Sequence, residues 1–258
     1  MNIEKNLNDV KNKVQMLQQK KQFDICLINK NRQGEKEMDT ETLFHYIDHT
    51  ALKPYTTWEE IETLCKEALE FQMASVCIPA SYIKRVHKTF PALNICTVVG
   101  FPLGYSQTEG KIAETKQAIE DGAVEIDMVV NICDIKNGDW KKVGEEIAAL
   151  KQAAGSRILK VIIETCYLTK EEKIAACQAV TDAGADYIKT STGFGTAGAS
   201  LEDVRLMKEH IGADVKIKAA GGIRSREEME SYIEAGCSRI GTSSAISILL
   251  PNGIKGCP

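Results

Sequence analysis

From about residue 40 onward the chain alternates short apolar segments with amphipathic ones, and no other feature restricts its fold so tightly. Strand candidates lie near 45–48, 74–78, 94–99, 124–130, 158–164, 186–190, 215–219 and 239–242. Helical patterns run between them over 57–71, 107–120, 139–153, 170–184, 201–210 and 226–235. In the first of these, Trp58, Ile61, Leu64, Cys65, Ala68 and Leu69 recur at the three- and four-residue spacing of one helix face. Asp121-Gly122-Ala123, Ala183-Gly184-Ala185 and Ala235-Gly236-Cys237 each place a glycine just past a helix, where it takes a left-handed cap without steric cost. A strand that returns parallel after a helix does so by a right-handed crossover. Eight such units in about 220 residues make the expected fold a (β/α)8 barrel of the α/β class. An open doubly wound sheet would need fewer strands and usually a Gly-x-Gly-x-x-Gly turn after the first, which the chain lacks.

Residues 1–38 stand apart. Ile3, Leu7, Val10, Val14 and Leu17 repeat at spacings of four and three, as on a helix with one narrow apolar seam, until Gln18-Gln19-Lys20-Lys21 ends the pattern. We expect an N-terminal helical extension, a solvated linker over 29–39, and a single barrel domain over 39–258. The first twenty residues are polar, so no signal peptide is expected. No apolar run approaches the roughly eighteen residues needed to cross a bilayer, which argues against a membrane partner. Nine cysteines, without a Cys-x-x-Cys pair, read as free thiols of a reduced, cytoplasmic protein. A net charge of −4 argues against nucleic acid as a partner, since phosphate backbones are bound by basic surfaces.

In such barrels the chemistry sits at the C-terminal ends of the strands. That rule selects Asp48, Cys77, Asp127, Glu164, Lys189 and Lys218. Lys189 and Lys218 each close a strand-like run and are followed at once by small residues. A neutral lysine attacks carbonyl groups, but at an ordinary pKa of about 10.4 only about one in two thousand is neutral at pH 7. Lowering that pKa by roughly three units costs about 4 kcal/mol of unfavourable environment. Burial supplies part of it and a second ammonium nearby supplies more, so Lys218 is the natural second charge for Lys189.

Asp127 shares an apolar strand, Val124 to Val130, with Glu125, which has the same parity. Carboxylates in such a strand need partners, so cations opposite are expected, and a salt bridge that merely plugs the barrel is the plain alternative. Lys160 is a further interior cation that could pair with Asp127 or Glu164. Gly221-Gly222 follows Lys218, and Gly241-Thr242-Ser243-Ser244 ends the last strand. Glycine turns and helix starts after the last two barrel strands often grip phosphate, and Ser243, Ser244 and Arg224 could add donors. His45 and His49 are four apart, but no third metal ligand appears at a recognisable spacing. His87 and His210 lie in polar helical stretches and read as surface residues. There is no Gly-x-Ser-x-Gly motif.

Six segments, in order, resemble one family. They are Ile47-Asp48-His49-Thr50-Ala51-Leu52-Lys53-Pro54, Val98-Val99-Gly100-Phe101-Pro102-Leu103-Gly104, Glu125-Ile126-Asp127-Met128-Val129, Leu159-Lys160-Val161-Ile162-Ile163-Glu164-Thr165, Ile188-Lys189-Thr190-Ser191-Thr192-Gly193, and Lys218-Ala219-Ala220-Gly221-Gly222-Ile223-Arg224. From about Ile47 to Leu250 the chain is similar to the deoxyribose-phosphate aldolases, Schiff-base enzymes of the (β/α)8 class. The resemblance implies reversible cleavage of 2-deoxy-D-ribose 5-phosphate to D-glyceraldehyde 3-phosphate and acetaldehyde, in deoxyribonucleoside catabolism. It implies Lys189 as the Schiff-base lysine, with Asp127 and Lys218 as a proton relay. Asp48 and Cys77 fall beside the substrate, and Lys160 in the network that supports it. Gly193, Gly221, Gly222, Ser243 and Ser244 fall on the phosphate loops.

No metal or organic cofactor is implied, and a homodimer is the family's common assembly. Some members carry a C-terminal tyrosine that assists proton transfer, whereas this chain reads Gly256-Cys257-Pro258. Two other readings compete: a Schiff-base aldolase acting on a different phosphorylated aldol, and a non-catalytic phosphosugar-binding barrel whose N-terminal helix recruits a partner. The six motifs weigh against the first. The joint presence of Lys189, Lys218 and Asp127 weighs against the second.

Overall fold

The computed structural model describes residues 38–251, so the expected N-terminal helix and the Gly256-Cys257-Pro258 end lie outside the described residues. Eight parallel strands close a barrel in sequence order, with the last pairing to the first. They are β1 (Ile47–Thr50), β2 (Ser75–Ile78), β3 (Ile95–Val99), β4 (Glu125–Val129), β5 (Ile158–Ile162), β6 (Tyr187–Lys189), β7 (Lys216–Ala220) and β8 (Cys237–Thr242). Helix α1 (Thr40–Phe44) precedes the barrel. The crossovers contain α2 (Trp58–Glu70), α3 (Ile83–Thr89), α4 (Thr108–Asp121), then α5 (Ile132–Lys136) and α6 (Trp140–Ala154) together after β4. They continue with α7 (Lys170–Asp182), α8 (Leu201–His210) and α9 (Arg226–Glu234), and α10 (Ala245–Leu249) follows β8. The (β/α)8 expectation holds.

Two details differ from the sequence reading. The first strand begins at Ile47 rather than 45, because His45 serves as the C-terminal cap of α1. Helix α3 escapes the periodicity search because its seven residues bury only Ile83 and Val86, too few for a repeating face. The glycine stops behave as expected, with Gly122, Gly184 and Gly236 all at positive φ. Helix starts are equally local: Thr57 with Glu60, and Thr169 with Glu172, form reciprocal capping boxes at α2 and α7.

The strands separate two environments. Outward residues such as Val76, Ile126, Met128, Val161, Ile188 and Ile217 are fully buried under the helices, alongside Ile61 and Cys65 of α2 and Leu150 of α6. Burial of aliphatic side chains at this layer supplies the main driving force for closure, about 1.5–3 kcal/mol per side chain. The alternating inward positions carry charge instead. A barrel interior is ordinarily filled by branched apolar residues, so this substitution of ions for oil sets the chain apart from a purely structural core.

A deeply buried ion pair also lies outside the barrel. Lys111 of α4 is fully buried and donates to three oxygens: Gly104 O at 2.5 Å, Val129 O at 2.8 Å and Glu146 Oε1 at 2.7 Å. The second oxygen of Glu146 accepts from the backbone of Asn131 at 3.0 Å. Together they pin the loop after β3 to the end of β4, just beyond Asp127. Removing one member of a buried pair strands the other, so Lys111→Met should cost about 3 kcal/mol. Urea unfolding of the two proteins measures it, and a loss below about 1 kcal/mol would contradict this role.

Candidate active site

Inward parity brings seven ionisable groups into one interior column: Asp48 on β1, Glu125 and Asp127 on β4, Lys160 on β5, Lys189 on β6, Lys218 on β7 and Arg239 on β8. Sheet register sets their heights. Asp127 lies opposite Lys160, Lys189 opposite Lys218, and Lys218 opposite Arg239. All seven are buried.

Asp127 is the hub. Its Oδ2 accepts from Lys189 Nζ at 2.7 Å and from Lys218 Nζ at 2.6 Å, and its Oδ1 accepts from Lys160 Nζ at 2.8 Å. Cys96 Sγ also donates to Oδ1 at 3.1 Å. Burial alone would raise the Asp127 carboxyl, but the three ammoniums of Lys160, Lys189 and Lys218 outweigh it and hold the group well below its ordinary value. Asp48 is held low in the same way, with burial opposed by Lys218, Lys160 and Arg239. Its Oδ1 accepts from Ser75 at 2.7 Å and from Arg239, while Oδ2 bonds Lys218. For Lys218 burial pulls downward, yet Asp127 and Asp48 keep the ammonium above its ordinary value. Lys160 is raised likewise against burial, by Asp127, the thiol of Cys96, Asp48 and Glu125.

Above this column opens a cavity of about 860 Å³. Lys189, Gly193, Gly221, Gly222, Arg224, Ser243 and Ser244 all lie on its wall, so the nucleophile candidate and the expected phosphate loops share one space. Gly221 has φ +86°, and a Cβ built on the facing Gly198 would sit 2.1 Å from the Gly221 carbonyl oxygen. The loops after β6 and β7 therefore meet backbone to backbone, which only glycine permits.

The sequence reading needs adjustment at several points. Lys218 does not share the wall with Lys189: it is fully buried, beneath the cavity, and reaches Lys189 through Asp127. Asp48 and Cys77, expected beside a substrate, and Lys160, expected in the supporting network, are likewise fully buried and off the wall. Their inward positions lie deeper in the barrel, where they support the lysines. Glu164 does not pair with Lys160. Its carboxylate accepts from the Thr192 backbone at 3.3 Å and from the Thr192 hydroxyl, and burial raises its pKa. His45 and His49 share no helix, and His49 Nε2 lies 2.7 Å from Glu67. His87 is exposed on α3 and His210 is partly exposed at the end of α8.

Arg239 was missed. The cue that singled out Asp127, a charge inside an apolar strand, applies to it equally. Lys111 gave no cue, since α4 buries it at a position where the pattern favours the neighbouring Ile112. Among the described residues the converging sets of metal-type ligands are Cys77, Cys96 and Asp127, and Asp48, Cys96 and Glu125. The Lys160 ammonium already holds a cation's place among them, 3.3 Å from Cys96 Sγ and 2.6 Å from Glu125.

The family model for DeoC/LacD family aldolases matches residues 38–251. A deoxyribose-phosphate aldolase of Clostridium botulinum (strain Alaska E43 / Type E3) is 62% identical over 213 residues, covering 82% of this chain and 96% of the relative. One from Clostridioides difficile (strain 630) is 58% identical over 204 residues, covering 79% and 93%. The solved tetrameric deoxyribose phosphate aldolase of Aeropyrum pernix superposes with a TM-score of 0.78 at 29% identity, covering 88% of this chain and 95% of that one.

The low carboxyl pKa values fix a sign for acid stability. Groups lowered from 3.8 contribute fully above that pH and lose their contribution as pH falls through it toward their folded values. Unfolding measured in steps from about pH 5 to about pH 2 should fall more steeply for the unaltered protein than for Asp48→Asn, which starts less stable. Parallel slopes would show that Asp48 is not held low.

Proposed function

The chain belongs to the DeoC/LacD aldolase family, and on that footing we propose that it is a deoxyribose-phosphate aldolase, a lyase of deoxyribonucleoside catabolism. It converts 2-deoxy-D-ribose 5-phosphate reversibly to D-glyceraldehyde 3-phosphate and acetaldehyde. One observation carries the assignment of roles: of the seven charged groups in the interior column, Lys189 alone lies on the cavity wall. Beneath it, Asp48, Glu125 and Asp127 supply three negative charges, and Lys160, Lys218 and Arg239 supply three positive ones. The column is balanced when Lys189 is a neutral amine. Glu164, the other carboxyl near Lys189, is pushed up by burial and is bonded to Thr192 rather than to a lysine of the column.

In this reading the Lys189 amine adds to the C1 aldehyde of the open-chain sugar and water leaves, giving an iminium ion. The C3 hydroxyl loses its proton, the C2–C3 bond breaks, and its electron pair becomes the C1=C2 bond of an enamine. The three-carbon fragment departs as the phosphorylated aldehyde. Protonation at C2 and hydrolysis then release acetaldehyde and restore the amine. Asp127 Oδ2 is the atom that both lysines touch, so a proton leaving one nitrogen is passed to the other through it. Lys218, held charged, is the donor side of that relay. Gly193, Gly221, Gly222, Arg224, Ser243 and Ser244 hold the phosphate at the far end of the cavity.

Seven thiols among the described residues are free, which supports a reduced cytoplasmic setting. No helix among them is long and apolar enough to cross a membrane. A homodimer is the assembly expected for the chain, and the Aeropyrum pernix relative is described as a tetramer.

Acetaldehyde with borohydride should leave an ethyl group on Lys189, read by peptide mass, and cleavage of deoxyribose phosphate should release acetaldehyde. An adduct elsewhere, or none on folded protein, sinks the mechanism. Lys218→Leu removes one positive charge from the column and should raise the midpoint pH of trapping by about one unit or more. An unchanged midpoint rules out its electrostatic part.

A further inference from the structure

Arg239 lies at the end of the charge column remote from the cavity, 9% exposed, and touches neither Lys189 nor the cavity wall. Its Nη1 donates to Asp48 Oδ1 at 2.5 Å and to Glu125 Oε2 at 3.2 Å, and its Nη2 donates to Glu125 Oε1 at 3.2 Å. From β6 the ring of Tyr187 faces the guanidinium at 5.7 Å. The same carboxylates reach onward, Glu125 to Lys160 and Asp48 to Lys218. Charges thus alternate from Arg239 through Asp48, Lys218 and Asp127 to Lys189.

A guanidinium differs from the lysines around it in one respect that matters here. It stays protonated at any pH the protein survives, and its fork grips a carboxylate at two points. The column cannot relieve an excess of positive charge by releasing a proton from Arg239. The groups around Lys189 are Asp127, Lys218, Glu164 and Cys77. Of the four cations in the column, only Lys189 opens onto the cavity, where its proton can leave.

We propose that Arg239 is a positioning residue for the aldol reaction, a fixed counter-charge to Asp48 and Glu125 that frees the charge of Lys218 to act on Asp127 and so releases the proton of Lys189. This rests on the reading of Lys189 as the reacting amine. A plug with a purely structural role would lower stability and turnover on substitution but would leave the pH at which the amine reacts unchanged. Charge balance predicts opposite shifts for opposite substitutions. Loss of a positive charge makes the column retain the Lys189 proton, whereas loss of a negative charge expels it.

The experiment is the pH profile of acetaldehyde trapping at Lys189 by cyanoborohydride, in variants checked for folding by circular dichroism. Arg239→Gln should raise the midpoint by about one pH unit, the order of effect that loss of one unit charge has in a medium of effective dielectric constant near 20. Arg239→Lys should restore most of the shift. Glu125→Gln should lower the midpoint, and carries the test if Arg239→Gln does not fold. The double variant should return to the unaltered value, and it carries the test if neither single variant folds. Folded variants whose midpoints stay put, or a double variant displaced from the unaltered value, overturn the role of Arg239 alone. Failure of the unaltered protein to trap at Lys189 overturns the amine reading instead.

Discussion

The site depends on a single carboxylate accepting hydrogen bonds from three lysines. Asp127 could not remain ionised in a dry barrel without the ammoniums beside it, and Lys160 and Lys218 could not remain charged there without it and its companions. Each ion offsets the desolvation of its neighbours, so the column is stable only as a set. That cooperativity explains why charge occupies positions where branched apolar residues would pack at less electrostatic cost. The ions are also kept at fixed heights, because they sit on strands of a closed sheet whose register cannot slip without turning the apolar face inward.

Most of the fold was legible because its determinants are local. Alternating segments and glycine stops give the eight units, and a right-handed crossover leaves little choice in how to close them. The lysines and Asp127 were legible too, as charges placed in apolar strands. What the sequence does not carry is depth. In sequence Lys189 and Lys218 close similar apolar runs, yet Lys189 ends β6 and faces a cavity, whereas Lys218 is the middle residue of β7 and lies sealed beneath it. Partners across the barrel are hidden as well: Arg239 meets Asp48 across 191 residues of sequence. The pairing of Glu164 with Thr192 rather than with a lysine depends on a loop whose path no periodicity describes.

The lysines outside and inside the barrel show one residue type in two uses. Lys111 is saturated by oxygens of fixed backbone and a buried glutamate, and it works as a fastener between loops. Lys189 has one carboxylate oxygen and an open cavity beside it. Burial is nearly complete in both, so exposure alone does not distinguish structure from chemistry. The number of acceptors and the presence of free space do.

The backbone contact between Gly198 and Gly221 bears on how such an enzyme can change. With no side-chain cushion between them, the loops after β6 and β7 form one mechanical unit, and a shift in either must displace the other. New acceptor aldehydes are therefore more readily accommodated by rebuilding other parts of the rim, such as Leu52 and Lys53 after β1, than by altering the glycine loops one at a time. The contact confines variation to the parts of the mouth that these two loops do not form.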